Sequence, residues 1–161
     1  MNFRHVRAAD LQTATELPPL QEWLRQLRPE DTTLLIVAPA GSGKAAAVGK
    51  IAAERGQDVV VIDLLDLLPE PNAERQLRHL LMLCEAQRDA VVYLDRLDAL
   101  LHLWDERHPD EAGRLAEVLR DWLLRARERL RANRSLLVAG ARDEARLPDA
   151  LRDAFDRVVA S

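Results

Sequence analysis

The stretch LLIVAPAGSGKA, residues 34–45, runs an apolar segment straight into a glycine-rich turn that ends in Gly43-Lys44. A short buried strand followed by such a turn and then a helix is a phosphate grip. The backbone N–H groups of the turn face inward, and the helix N-terminus adds the positive end of its dipole. Pro39, Ala40, Gly41, Ser42, Gly43, Lys44 and Ala45 are therefore the candidate phosphate-binding loop, with Lys44 as its cation. The full pattern G-x-x-x-x-G-K-[ST] is not met: Ala38 stands at the first glycine, and Ala45 stands where a hydroxyl would meet Mg²⁺. The loop keeps its lysine and lacks one metal ligand. The competing reading of the same residues is a plain strand-to-helix turn with a solvated lysine.

Outward from that loop, apolar runs bounded by turn residues predict strands at 32–38, 58–63, 90–95, 135–139 and 156–160. Between them, residues spaced three and four apart predict helices at 43–55, 73–88, 109–132 and 148–154. The longest has Leu115, Val118, Leu119, Trp122, Leu123, Ala126 and Leu130 on one stripe, with Asp110/Arg114 and Asp121/Arg125 as supporting pairs. Alternating strands and helices predict an α/β fold with a parallel sheet covered on both faces, and such sheets bind ligands at the C-terminal strand ends. Residues 1–31 read as an N-terminal linker with a short amphipathic helix near 18–28 (Leu20, Trp23, Leu24, Leu27), and 32–161 as the core domain.

At 161 residues the chain has the length of one domain, and its 48% apolar and 31% charged composition is that of a globular protein. A formal net charge of −4 gives no overall pull toward nucleic acid or an anionic membrane. A single cysteine, Cys84, excludes an internal disulfide and a cysteine-based zinc site. No apolar run approaches the roughly 20 residues that span a bilayer, so a cytoplasmic location without membrane contact is expected.

Asp95 closes the apolar segment AVVYLD, which directs its carboxylate to the same sheet edge as the loop. In phosphate-loop nucleotidases an aspartate there holds Mg²⁺ beside the phosphates, which makes Asp95 the candidate metal ligand.

The segment YLDRLDALLHLWDERHPDE, residues 93–111, resembles the second nucleotide motif of AAA+ ATPases, four apolar residues, Asp-Glu, an apolar residue and Asp-Ala-Leu. SLLVAGARDEARLPDALRDAFDRVV, residues 135–159, is similar to that family's fourth strand, sensor segment and Phe-Asp-Arg entry to the last strand. The likeness extends over residues 32–160, a P-loop NTPase core with degenerate Walker A and Walker B motifs. It implies a three-layer sandwich around a five-stranded parallel sheet in the order 5-1-4-3-2, with the usual helical lid absent. It also implies ATP or ADP as ligand with weakly held Mg²⁺, and assembly into homo- or hetero-oligomers in which a neighbour's arginine completes the site. Lys44 and Asp95 are then the catalytic candidates, with Arg152 of Ala150-Leu151-Arg152 near the arginine-finger position.

Three departures bear on activity. Ala45 lacks the hydroxyl, Arg96 replaces the glutamate that orients the attacking water, and the sensor position falls on Arg142 or Asp143 in place of Asn or Thr. Binding uses the loop, Lys44 and the helix terminus, which remain, whereas losing a nucleophile-positioning group costs about 10²–10⁴ in rate. The expectation is an ATP- or ADP-binding module of an oligomeric ATPase machine with impaired or lost hydrolysis. The alternatives are an active ATPase that remodels protein or serves DNA replication and clamp loading, and a nucleotide-free scaffold. Nucleic acid is a possible partner without a signal of its own: Arg125, Arg127, Arg129, Arg131 and Arg134 read as a solvated face, and His102 and His108 as surface groups. Asp63 and Asp66 read either as turn carboxylates or as groups facing the nucleotide edge, Trp104 and Trp122 as core or interface anchors, and Cys84 as packing.

Overall fold

The structure is a computed structural model that describes residues 4–11, 25 and 27–160. Leu20, Trp23 and Leu24 of the expected N-terminal helix lie outside the described residues. The strands are β1 (Arg4–Val6), β2 (Thr33–Val37), β3 (Asp58–Asp63), β4 (Ala90–Asp95), β5 (Leu136–Ala141) and β6 (Arg157–Ala160). The helices are α1 (Ala8–Leu11), α2 (Lys44–Arg55), α3 (Ala73–Ala86), α4 (Leu97–Arg107), α5 (Arg114–Ala132) and α6 (Asp149–Arg152).

One six-stranded sheet runs in the order β1-β3-β4-β5-β2-β6. The five strands expected from the sequence are joined by four parallel pairings, but β1 adds an antiparallel edge strand on β3, with His5 opposite Val60. The sheet is thus six-stranded and mixed, not five-stranded and parallel. Alternation along each strand sorts the core into two faces. Leu35 and Val37 of β2, with Val92 and Leu94 of β4, pack under α3, α4 and α5. Leu34 and Ile36, with Val91 and Tyr93, pack under α2, where Val48, Ile51 and Ala52 meet them. Val6, Ala8, Leu11 and Leu27 extend that second face.

Helix ends follow backbone chemistry. Gly56, at φ +67°, stops α2 in the left-handed conformation. Gly113, at φ +82°, starts α5, so that helix begins at Arg114 and not at 109, and residues 97–107 form a helix of their own. The expected pairs on α5 are replaced as well: Arg114 binds Glu74 and Glu117, and Arg125 Nε donates to the Asp121 carbonyl at 3.3 Å. Arg127 leaves the solvated face and pairs with Asp156 at 3.2 Å. Asp156 also accepts from the Thr32 amide and hydroxyl, both at 2.8 Å, which ties the start of β6 to the start of β2 at the sheet end opposite the loop. No helix among the described residues is long and apolar enough to cross a membrane.

Candidate functional site

Parallel pairing of β4, β5 and β2 brings three chain segments to one sheet edge: Asp95-Arg96, Gly140–Arg142 and the loop after Val37. They line a cavity of about 390 Å³ that includes Gly41, Gly43, Lys44 and Ala45. Gly41 and Gly43 take φ +76° and +90°, the left-handed turns that curl the loop. Ala38 is not among the positive-φ residues, so the missing first glycine leaves the curl intact. α2 starts directly at Lys44 with no side-chain cap among the described residues and no acidic residue in its first turn. Its first N–H groups lack intrahelical partners by geometry, and a dipole end without a carboxylate suits an incoming anion.

Two side chains of the loop can turn to an incoming phosphate. Ser42 is 2% exposed, and its Oγ has no hydrogen-bond partner among the described residues. Lys44 Nζ folds back to donate to the Ala38 carbonyl at 2.7 Å and the Pro39 carbonyl at 3.2 Å. Burial lowers the Lys44 pKa, opposed by Asp95 and Asp98 and reinforced by Arg142. Pro39 borders an adjoining cavity with Asp98, Arg142 and Asp143, and Ala40 touches both cavities.

Across from the loop, Asp95 Oδ1 accepts from the Arg96 amide at 2.9 Å and from the Tyr93 hydroxyl at 3.2 Å. Arg96 is held at φ +61°, and its guanidinium makes two contacts to the Asp63 carboxylate, one of them from Nε at 3.0 Å. Of the two readings of Asp63, turn carboxylate and nucleotide-edge group, the structure combines parts of each. It caps the turn after β3 by accepting from Leu65 N, and it anchors Arg96 at the cavity rim. Asp98 is 2% exposed and accepts from the amides of Arg142 and Asp143 at 3.1 and 2.9 Å, which fixes the segment after β5 against α4. Of the two sensor candidates, Arg142 lines the cavity, while Asp143 lines only the adjoining one and caps the next turn through Ala145 N.

A family model described as the ATPase family associated with various cellular activities (AAA) matches residues 34–161. The chain belongs to the AAA family of ATPases. Its fold is similar to that of a solved structure titled "Crystal structure of FIGL-1 AAA domain", at TM-score 0.58 and 18% identity. The match covers 96% of this chain and 55% of that one, so the chain spans about half the length of the solved relative. No curated protein matches. AAA domains generally bind ATP or ADP with Mg²⁺ and form oligomers.

The cavity offers a metal few side-chain donors. Position 45 offers a methyl group, and Asp95 Oδ1 already serves two donors. No group of three metal-ligating side chains exists among the described residues. The residues present offer Mg²⁺ one carboxylate at the cavity and no hydroxyl at position 45, so its six oxygens would come mostly from water and phosphate. Arg152, on α6, is not in the cavity lining: its guanidinium binds Glu144 and Asp149 of its own chain. Asp98, Tyr93 and Gly140 went unread in the sequence as parts of the site. A glycine inside an otherwise buried strand is the one signal that marks Gly140, where an added Cβ would sit 2.6 Å from the Tyr93 hydroxyl.

Proposed function

We propose that this AAA domain binds a nucleoside di- or triphosphate, ATP or ADP, at the cavity beneath residues 39–45, with hydrolysis slow or lost, as a regulatory or structural module of an oligomeric assembly. The observation that carries the reading is Arg96. It occupies the position after Asp95 where a water-orienting carboxylate is expected, it cannot accept a proton, and its guanidinium is engaged by Asp63. Binding, by contrast, rests on features that remain: the two left-handed glycines, Lys44, the buried Ser42 hydroxyl and the uncapped start of α2. Lys44 would exchange the Ala38 and Pro39 carbonyls for phosphate oxygens. Any role for Arg152 in a neighbouring subunit's site requires it to release both Glu144 and Asp149.

Thermal melts with and without ATP test the binding half. A ligand at 100 times its Kd stabilises the folded state by about 2.7 kcal/mol, and the shift disappears in Lys44→Ala. No shift at millimolar ATP would replace this reading with that of a nucleotide-free scaffold. Steady-state phosphate release tests the other half: a rate at the buffer level is expected. A rate well above it that vanishes in Lys44→Ala would make this a working ATPase.

A further inference from the structure

We infer that Lys44, Arg96 and Arg142 together receive the polyphosphate of the nucleotide without a divalent cation, the two guanidinium groups supplying the charge that a metal would bring. This deepens the proposed nucleotide site and rests on it. Three cations line the cavity against one carboxylate, Asp95. Arg142 forms no ion pair among the described residues, is exposed, and lines the same cavity as Lys44. Cations gathered on one cavity wall favour an anion between them. A guanidinium suits that anion, because its planar fork donates in pairs to phosphate oxygens.

Arg96 completes the set at low cost. Leaving Asp63 does not orphan that carboxylate, which still accepts from Leu65 N at 3.1 Å. Arg96 can therefore turn from Asp63 to a phosphate without leaving a partnerless charge behind. The same wall disfavours a metal, since a divalent ion would meet three cations, a methyl group at position 45 and a single carboxylate already serving two donors.

Isothermal titration calorimetry of the full chain decides this, with ATP and with inorganic tripolyphosphate, each in Mg²⁺ and in EDTA. The expected result is a Kd in EDTA within about threefold of that in Mg²⁺, with tripolyphosphate competing against ATP. Charge-assisted hydrogen bonds of this kind make a loss of about tenfold or more in EDTA the expected effect of Arg142→Gln and of Arg96→Gln. Arg142→Lys should recover part of the loss. Because Arg142 is exposed and forms no ion pair among the described residues, the unliganded melting temperature of Arg142→Gln should match that of the unsubstituted chain, which separates lost binding from lost folding. Tight binding in Mg²⁺ that collapses in EDTA overturns the inference and leaves the nucleotide site standing, as do Gln variants that bind in EDTA like the parent. Absence of binding in both conditions overturns the nucleotide reading and this inference together.

Discussion

The densest residue-level constraint lies in the wall behind Asp95. Tyr93 is 3% exposed, its ring fills the space a Cβ would take at Gly140, and its hydroxyl donates to Asp95. Burial, then the adjacent Asp95 charge, pushes the phenol well above its ordinary pKa, so it stays a neutral donor. Gly140→Ala forces this ring to move within a closed core, at a cost of about 1–3 kcal/mol. Urea unfolding should show that loss, and Tyr93→Phe in the same chain should return part of it, because the oxygen is the nearest clashing atom. Asp98 is the second such point. Asp98→Ala strips the acceptor from the Arg142 and Asp143 amides, for an expected loss of about 1–3 kcal/mol by denaturant titration. Asp98→Asn, which keeps a carbonyl oxygen there, should lose less.

At the scale of elements, the two ends of the sheet divide the labour: the C-terminal ends carry the site and the opposite end carries the clamp. Burial alone would raise the Asp156 pKa. The Thr32 amide and hydroxyl, then Arg127 and the Thr33 amide, outweigh it and hold the carboxylate below its ordinary value. A group whose pKa is depressed by folding contributes stability above the unfolded carboxylate pKa and loses it as pH falls through the folded one. Acid titration of folding stability should therefore be shallower in Asp156→Asn, with the difference growing as pH rises from the folded to the unfolded carboxylate pKa and constant above it. A parallel acid limb in both chains would remove Asp156 from the clamp.

These elements were unequally legible. The five parallel strands announced themselves because Leu34–Val37 and Val91–Leu94 are buried on both faces, which leaves unbroken apolar runs. β1 did not, since Arg4, His5 and Val6 form a three-residue edge with two exposed polar side chains. The loop and Asp95 were readable as local patterns. The Arg96–Asp63 contact joins positions 33 apart across neighbouring strand ends, and no local pattern encodes it. The tolerance of Ala38 was equally hidden, because only the backbone angles place the left-handed turns at Gly41 and Gly43.

At the scale of the whole molecule, residues 4–11 and Leu27 pack on the same core as the phosphate loop. β1 extends the sheet on β3, and α1 lies against α2, the helix whose first turn faces the cavity. Val6, Ala8, Leu11 and Leu27 pack, partly buried, against the core face that holds Val59, Val61 and Ile51. Partial burial of such side chains contributes about 1 kcal/mol each at roughly 25 cal/mol per Å². A chain starting at residue 28 keeps Asp31, which binds Arg157 at 2.8 Å, and so loses the apolar cover without losing the clamp. Its unfolding free energy should fall by about 2–4 kcal/mol in urea, and an apolar dye should bind the exposed face. Because α1 braces α2, nucleotide affinity should weaken alongside stability. Unchanged stability and affinity in that shortened chain would mean that residues 4–11 merely lie on a core that is complete without them.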